Sequence, residues 1–312
     1  MAFSLNEVFK SAQKEALHRF WLFSDLQQSD PEKAECYFKT AVEDFKELDP
    51  GVEGICSLGD AAEGIDLDKL ETMISMQLRE LDSLQLPVYH CLGNHEFDYY
   101  HEKVDRGEKP EVPFFDAVKQ NKNWHLAPSY SDFWFCHELP EFTMLFFSGH
   151  AASDGSWYAA YQTLPDTPDY PHTKEVWDQL KERFANTGKP VFTFSHCSFP
   201  GGNRPSAILG QMLPLPSNFR AHFYGHAHIG DACWAGENLY RQIAGTENSP
   251  VCQFNISSLD HWRGTTVRSA FFDYYGDGEY GVFFRDHLNR RWEQCFFSAH
   301  DARSAGIPEK DC

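Results

Sequence analysis

The sequence predicts an α/β fold in which parallel strands carry polar residues at their carboxyl ends. Amphipathic helical patterns separate the first three apolar runs of the chain, and each run ends in a polar side chain. The spacing is regular, because Asp25, Asp60 and Asn94 follow one another at about the length of one βαβ unit. Since right-handed crossovers bring parallel strand ends to one edge of a sheet, these residues are expected to lie close together.

The first half of the chain is predicted to alternate helices and strands. Residues 6–19 form a predicted helix that leads into a first strand at Phe20–Ser24. Asp30 and Pro31 predict the start of the next helix, because Asp is a good N-cap and Pro is tolerated at the first helical position. A second strand is predicted at Gly54–Leu58, an amphipathic helix from Leu67 and a third strand from Pro87. Together these elements form a parallel βαβαβ half.

The second half is less regular. Two segments rich in aromatic residues, charges and prolines, 97–142 and 150–172, are predicted to be insertions on the substrate side. Buried strands are predicted at Thr143–Ser148, Pro190–Ser195 and Phe219–Tyr224. In residues 250–298, β-rich segments alternate with turn sequences, so a largely antiparallel sheet that packs against the first is expected. We therefore predict a single domain over residues 1–312.

Composition and charge argue against several classes of protein. Of the 312 residues, 42% are hydrophobic and 15% aromatic, so a large core is expected rather than disorder. A formal net charge of −19 argues against nucleic acid or an anionic membrane as a partner. The nine cysteines have no CxxC spacing, which argues against a disulfide framework or a zinc finger. The charged N-terminus and the lack of a long apolar run predict a cytoplasmic protein.

Eight potential metal ligands follow the predicted strands, namely Asp25, Gln27, Asp60, Asn94, His95, His196, His226 and His228. Oxygen and nitrogen donors without a thiolate suit Mn²⁺, Fe or Zn²⁺ in a catalytic site that keeps open positions. Eight donors exceed what one ion needs, so two divalent ions are predicted, in an arrangement suited to hydrolysis of a phosphate ester. The alternatives are helix capping for the aspartates and exposed turns for the histidines.

The order of these residues resembles that of the calcineurin-like metallophosphoesterases. It reads Asp…Gly-Asp…Gly-Asn-His-Glu…His…Gly-His-x-His and spans Asp25 to His228. The resemblance implies a four-layer α/β/β/α sandwich with mixed sheets. It also implies a dinuclear, metal-dependent phosphoesterase in which a metal-activated hydroxide attacks a phosphodiester or a nucleotide-type pyrophosphate.

The same resemblance implies a role for each donor. The first ion would be held by Asp25, Gln27, Asp60 and His228. The second would be held by Asp60, Asn94, His196 and His226, so that Asp60 bridges the two ions. His95 would not bind metal but would protonate the leaving oxygen or stabilise developing charge.

Gln27 departs from the family pattern, which has His two residues after the first Asp. Asp-x-Gln is a feature of the manganese-dependent ADP-ribose/CDP-alcohol diphosphatase branch, which the chain resembles in FSDLQ, LGD and GNHEF. Because a neutral amide oxygen is a harder donor than imidazole, Mn²⁺ is the predicted metal, with Fe or Zn²⁺ as alternatives. Gln27 could instead face solvent, with a water molecule in its place.

Four residues are candidates for substrate binding. Tyr99 and His101 could stack on a base or sugar, Arg204 could clamp a phosphate, and His150 could line the pocket. Each could equally be structural or solvated. The predicted partner is a small phosphorylated substrate of nucleotide-like character. Two other functions stay open, namely a phosphomonoesterase or protein phosphatase of the same fold and a non-catalytic metal-binding interaction module.

Overall fold

The computed structural model describes residues 4–63, 66–99, 103, 106–108, 112–128, 134–148, 150–151, 157–158, 170–202, 205–230, 240–262 and 264–298. Its helices are α1 (Leu5–Glu15), α2 (Pro31–Leu48), α3 (Leu67–Asp82), α4 (Pro113–Val118), α5 (Tyr170–Asn186) and α6 (Ala207–Gly210), and a 3₁₀ turn spans His95–Phe97. Its strands are β1 (His18–Phe23), β2 (Gly54–Ser57), β3 (Val88–His90), β4 (Trp124–His125), β5 (Trp134–Glu138), β6 (Thr143–Phe147), β7 (His150–Ala151), β8 (Trp157–Tyr158), β9 (Val191–Ser195), β10 (Phe219–Tyr224), β11 (Arg241–Thr246), β12 (Ser249–Asn255), β13 (Arg268–Gly276), β14 (Glu279–Asp286) and β15 (Arg291–Phe297). Within these ranges, no helix is both long and apolar enough to cross a membrane.

Local capping explains why α2 and α3 begin where the sequence predicts. Asp30 Oδ1 accepts the Glu32 N–H at 3.1 Å ahead of α2, and Pro31 occupies the first helical position. Asp66 Oδ1 accepts the Lys69 N–H at 3.2 Å at the start of α3. Each capping side chain accepts a hydrogen bond from a backbone N–H that has no acceptor within the helix. Both helices therefore begin at defined residues.

The first helix ends four residues earlier than predicted, and the first strand begins two residues earlier. α1 stops at Glu15, and His18 and Arg19 already pair with β13. Arg19 Nε donates to Asp273 Oδ1 at 2.5 Å in a buried ion pair. The prediction was wrong here because helical periodicity is a local pattern, whereas a partner distant in sequence determines the start of β1.

The first sheet has seven strands in the order β15-β14-β13-β1-β2-β3-β4. Strands β1 to β4 are parallel, as the βαβ spacing predicts. On the other side of β1, each neighbouring pair is antiparallel, from β1 with β13 to β13 with β14 and β14 with β15. The expectation that residues 250–298 form a separate sheet was therefore wrong, since three of the four β-rich segments extend the first sheet. Packing of Phe272 beside Phe20, with ring centroids 6.4 Å apart, accompanies this pairing.

The second sheet has six strands in the order β11-β12-β10-β9-β6-β5. Strands β6, β9, β10 and β12 are parallel, and β5 and β11 pair antiparallel at the edges. Part of the segment 97–142 thus adds β4 and β5 to the edges of the two sheets. The ends of β6, β9 and β10 lie at one edge, as the ends of β1, β2 and β3 do in the first sheet.

Three hydrophobic clusters separate four layers. One packs α1, α2, α3 and α4 on the outer face of the first sheet, and includes Phe38 and Trp21. The second fills the space between the sheets and includes Phe146, Phe194 and Phe272. The third packs the second sheet against α5 and α6. This confirms the predicted mixed α/β fold with an α/β/β/α layer order.

Candidate metal centre and active site

The predicted donors converge where the parallel strands of both sheets end. Asp25, Asp60 and Asn94 follow β1, β2 and β3, and His196 and His226 follow β9 and β10. One donor atom from each of Asp25, Asp60, His196 and His226 lies within 4.8 Å of the other three. The fold therefore brings together carboxylate and imidazole groups from two sheets, as the sequence predicts.

The backbone at three of these residues adopts the left-handed conformation. The φ angles are 57° at Asp25, 51° at Asp60 and 64° at His226. In the part of the chain that the structure describes, eight residues other than glycine have positive φ, and these are three of them. Such a conformation costs on the order of 1–3 kcal/mol and persists only where surrounding contacts enforce it, which is typical of functional sites.

Asp25 contacts both histidines of the Gly-His-x-His sequence. Its Oδ1 lies 3.0 Å from His228 Nε2, and its Oδ2 accepts the backbone N–H of His226 at 2.8 Å. Gly225 permits this approach, because a Cβ there would lie 2.6 Å from Asp25 Oδ2. Asp25 is fully buried, so the position of its carboxylate is fixed by these contacts.

Asp60 is also fully buried and presents one free oxygen to the centre. Its Oδ1 accepts the His95 N–H at 2.9 Å. Its Oδ2 lies 3.0 Å from His196 Nε2 but accepts no well-directed hydrogen bond from the residues described. A buried carboxylate oxygen in this state needs a cation nearby, because burying an anionic acceptor without a partner is costly.

Glu96 holds the two loops in place and was not among the predicted site residues. Its carboxylate accepts the N–H groups of Asp60 at 3.0 Å, Ala61 at 2.6 Å and Gly93 at 2.6 Å. Glu96 is 1% exposed and points away from the donors towards the backbone. The Gly-Asn-His-Glu sequence offered a signal, since it placed a carboxylate beside the metal ligands, but two of the N–H groups that donate to this carboxylate lie 35 and 36 residues earlier in the chain.

His196 is oriented with one nitrogen towards the centre. Its Nδ1 lies 2.8 Å from the carbonyl oxygen of Leu58. Because a carbonyl only accepts, Nδ1 carries a proton, and Nε2 faces Asp60 Oδ2 and Asn94 Oδ1, which lies 3.1 Å away. Once Nε2 loses its own proton, its lone pair is directed at this centre. A ring held through its other nitrogen in this way is the usual arrangement of a metal-binding histidine.

Gln27 contributes a second buried oxygen with no partner in the described chain. Its Oε1 is inaccessible to solvent and makes no hydrogen bond there, although the residue as a whole is partly exposed. This oxygen is not solvated, which argues against the alternative that Gln27 simply faces water. An unpaired amide oxygen in the loop that carries Asp25 suits a hard divalent cation.

His95 lies beside the donors and is held through Nδ1. This nitrogen lies 2.5 Å from Asp98 Oδ2 and 3.1 Å from Glu63 Oε1, so it carries a proton. Nε2 lies 3.9 Å from Asp60 Oδ2 and faces the centre. Glu63 and Asp98 were not predicted from the sequence, and their proximity to His95 depends on the turn at residues 95–97.

The electrostatic environment favours positive charge. Burial lowers the pKa of His196, but the charges of Asp60 and Asp25 outweigh it and raise that pKa to about 9. Burial likewise lowers the pKa of His228, and Asp25 raises it overall. Burial raises the pKa of Asp60, yet the neighbouring His196 and His95 hold it well below its usual range. The residues present therefore fit divalent cations, whose charge would take the place of these protons.

Of the four predicted substrate contacts, the structure describes the side chain of Tyr99 alone. Tyr99 is 8% exposed and packs in the core cluster between the first sheet and its helices, which favours a packing role. His101 and Arg204 lie outside the described residues, and so does the side chain of His150. Their part in substrate binding stays a prediction.

A second set of polar side chains has the order of a nucleophilic triad but no access to solvent. Ser269 Oγ lies 2.6 Å from His287 Nε2, and His287 Nδ1 lies 2.8 Å from Asp44 Oδ2. Ser269 and His287 are fully buried and Asp44 is 2% exposed. Trp21 Nε1 also donates to Ser269 Oγ at 2.7 Å. This network fixes α2 against the sheet and has no room for a substrate.

Solved structures that share this fold include two phosphatases. A dimetal phosphatase from Danio rerio aligns with a TM-score of 0.57 at 12% identity, covering 90% of this chain and 98% of that one. A purple acid phosphatase from yellow lupin (Lupinus luteus) seeds aligns with a TM-score of 0.57 at 11% identity, covering 94% of this chain and 56% of that one. At such identities the likeness concerns the fold alone. No curated protein matches the chain significantly in sequence.

The family follows from a sequence comparison rather than from the structures. The sequence model of the calcineurin-like phosphoesterases matches residues 18–230, which is more than half of the chain and includes every predicted donor. Members of this family use a dinuclear metal centre, and the clustered carboxylates and imidazoles provide a candidate for it. The chain therefore belongs to the calcineurin-like phosphoesterase family and is a metal-dependent phosphoric ester hydrolase.

Proposed function

We propose that this chain hydrolyses a phosphodiester or a nucleotide-type pyrophosphate. The observation that carries the proposal is the buried, unpaired Oε1 of Gln27, for which the described residues offer no donor. It supports Gln27 as a metal ligand, and thus an Asp-x-Gln metal site. That arrangement resembles the manganese-dependent ADP-ribose/CDP-alcohol diphosphatase branch, whose substrates are nucleotide-type pyrophosphates.

We assign two divalent ions to this centre. The first is held by Asp25, Gln27, Asp60 and His228, and the second by Asp60, Asn94, His196 and His226. The free Oδ2 of Asp60 and the inward-facing Nε2 of His196 support this assignment. Once bound, the ions supply Lewis acidity, because they offset the charge of the phosphate and activate water as the nucleophile.

The burial of the donors indicates where the substrate approaches. Asp25, Asp60, His196 and His228 are buried, whereas Gln27, Asn94, His95 and His226 are partly exposed. The open side of the centre is therefore the side of the partly exposed group. A phosphate that enters there lies against His95.

His95 serves as the proton donor to the leaving oxygen. Asp98 and Glu63 hold Nδ1, so Nε2 is the nitrogen that faces the centre. In its protonated form the ring can stabilise charge on the leaving oxygen and transfer the Nε2 proton to it. Neutral imidazole then remains, still oriented by the two carboxylates.

Mn²⁺ is the proposed metal. In the first site, carboxylate and amide oxygens outnumber the single imidazole of His228, and oxygen-rich sites suit Mn²⁺ better than Zn²⁺. The second site has two imidazole ligands, His196 and His226, so Fe or Zn²⁺ is the alternative metal there.

A reconstitution experiment tests the function. Protein stripped of metal is reloaded separately with Mn²⁺, Fe²⁺ or Zn²⁺, and turnover is measured with a phosphomonoester, an aryl phosphodiester and ADP-ribose. We expect the highest kcat/KM with Mn²⁺ and with the diester or the pyrophosphate. A preference for the monoester would contradict the proposal and favour a phosphomonoesterase of the same fold.

A further inference from the structure

One segment joins the two sheets across the edge that carries the metal ligands. We call residues 256–267 the crossover segment, because it leaves β12 of the second sheet and enters β13 of the first. Apart from residue 263, the structure describes all of it. It contributes none of the predicted ligands, yet it runs beside two of them.

Two hydrogen bonds attach the crossover segment to the loops of Asp25 and His228. The N–H of Leu259 donates to the carbonyl of Ser24 at 3.0 Å, immediately before Asp25. Ser257 Oγ accepts the N–H of Ile229 at 3.0 Å, immediately after His228. The segment thus forms a wall of the centre on the side of the first metal site.

A buried carboxylate in the segment supports this position. Asp260 is fully buried, and Thr265 Oγ1 donates to its Oδ1 at 3.1 Å. It directly follows Leu259, whose N–H is bonded to the residue before Asp25. The next residues along the chain, His261 and Trp262, therefore begin at the margin of the centre.

Trp262 follows Asp260 by two residues and is 50% exposed. Two residues of extended chain span at most about 7 Å, so the indole starts within one nucleoside length of Asp260. Large apolar rings are more stable in the core than in water, so a half-exposed tryptophan at the margin of the centre indicates a surface that binds a ligand.

The backbone of Trp262 is held rigidly. Its N–H donates to Thr265 Oγ1 at 2.7 Å, and the Thr265 N–H returns to the Trp262 carbonyl at 2.9 Å. Within this turn, Gly264 approaches the loop after His228, because a Cβ on Gly264 would lie 2.7 Å from the carbonyl oxygen of Gly230. The backbone that carries the indole therefore needs little ordering when a ligand binds.

We propose that Trp262 is the platform on which the nucleobase of the substrate stacks while its phosphate binds at the metal centre. This inference rests on the proposed function and narrows the substrate class to nucleotides. Stacking suits this chain, because an aromatic face recognises a base without requiring positive charge, and the net charge of the chain is −19. In this arrangement the metal ions bind the phosphate and the indole binds the base.

A matched pair of ligands tests the platform independently of catalysis. AMP and ribose 5-phosphate differ by the base alone, and their Kd values for the metal-loaded protein can be measured by calorimetry. We expect AMP to bind wild type roughly 5- to 100-fold more tightly than ribose 5-phosphate does. In Trp262→Ala this advantage disappears and ribose 5-phosphate binds as before, whereas Trp262→Phe retains most of the advantage. Leu17→Ala is the control, because Leu17 is 55% exposed and lies before β1, at the opposite end of the sheet.

The outcomes separate this inference from the function on which it rests. Equal affinity of wild type for AMP and ribose 5-phosphate, or an unchanged AMP preference in Trp262→Ala, would overturn the platform. In either case, turnover of ADP-ribose and of aryl phosphodiesters would still support the phosphodiesterase or pyrophosphatase assignment. If metal-loaded wild type hydrolysed only monoesters but preferred AMP, the platform would stand and the proposed bond specificity would fall.

Discussion

The carboxylate of Asp25 reaches from the first sheet to His228 of the second. Its Oδ1 lies 3.0 Å from His228 Nε2, and the two residues are 203 positions apart in sequence. Asp60 and His196 form the same kind of contact, with Oδ2 and Nε2 3.0 Å apart. Each pair joins a strand end of one sheet to a strand end of the other. A cation bound between them would therefore hold the two halves of the sandwich together.

Metal loading should stabilise the fold. A ligand that binds the folded state alone raises its stability, so saturating Mn²⁺ should increase the Tm of stripped protein by roughly 5 °C or more. Asp60→Asn should lose most of this shift, because it removes the free carboxylate oxygen. Differential scanning calorimetry and elemental analysis test both. Glu71→Gln, at an exposed position on α3, is the control and should behave as wild type.

His95→Ala should separate catalysis from metal binding. The imidazole is held by Asp98 and Glu63 rather than by the donor cluster, so metal content should stay near the wild-type value. Turnover should fall roughly 10²–10⁴-fold, the usual contribution of a positioned acid. Asp98→Asn should lower kcat less and leave KM nearly unchanged. Loss of metal from His95→Ala would show that the ring is a ligand and that its assigned role is wrong.

The sequence predicted the features that depend on local signals. α2 begins at Pro31 and ends at Leu48 because Asp30 caps it and apolar residues recur at helical spacing. β10 lies at Phe219–Tyr224 as predicted, because a segment rich in apolar and aromatic residues ends at a glycine. The donors could be found for the same reason, since each directly follows such a run.

The features that depend on distant pairing could not be predicted in this way. β13 pairs with β1 although about 250 residues separate them, and alternating polarity does not indicate which sheet a strand joins. Glu96 was not predicted as a site residue, yet its carboxylate accepts the backbone N–H groups of Asp60 and Ala61. Such roles follow from the loop conformations, which no local pattern in the sequence specifies.

Glu96→Ala should damage the centre without removing a donor. It leaves the N–H groups of Asp60, Ala61 and Gly93 without their acceptor, at a cost of about 1–3 kcal/mol for each buried donor. We expect both lower unfolding free energy and weaker metal binding. Glu96→Gln keeps one acceptor oxygen and should be intermediate. Urea denaturation and metal titration test this order, and Glu96→Ala with unchanged metal affinity would contradict it.

Gln27→His should change the first metal site. An imidazole in place of the amide oxygen raises the affinity for borderline metals, so Zn²⁺ should bind more tightly and the preference for Mn²⁺ should decline. Calorimetric titration of stripped wild type and variant measures both constants. Gln28→His, one residue further along the chain, serves as the control. Identical metal constants in wild type and Gln27→His would mean that the side chain does not contact the ion.

Asp44 should stabilise the fold in a pH-dependent way. Burial opposes its ionisation, but hydrogen bonds from Arg285 at 2.8 Å and His287 at 2.8 Å lower its pKa from 3.8 to about 2. A carboxyl whose pKa is lower in the folded state stabilises that state above its unfolded pKa, and this contribution is lost as the pH falls through the folded value. Asp44→Asn should therefore lose about 3–5 kcal/mol of unfolding free energy at pH 7, because it leaves Arg285 buried without its charged partner.

The difference between wild type and Asp44→Asn should be constant above about pH 5 and should shrink as the pH falls from 4 towards 2. Urea denaturation at pH 7, 4 and 3 measures it. Asp68→Asn, at an exposed position in the first turn of α3, should show no comparable loss at any of these pH values. If the gap between wild type and Asp44→Asn were the same at pH 7 and pH 3, the ion pair would not be the source of the stabilisation, and the buried network would depend on shape and neutral hydrogen bonds instead.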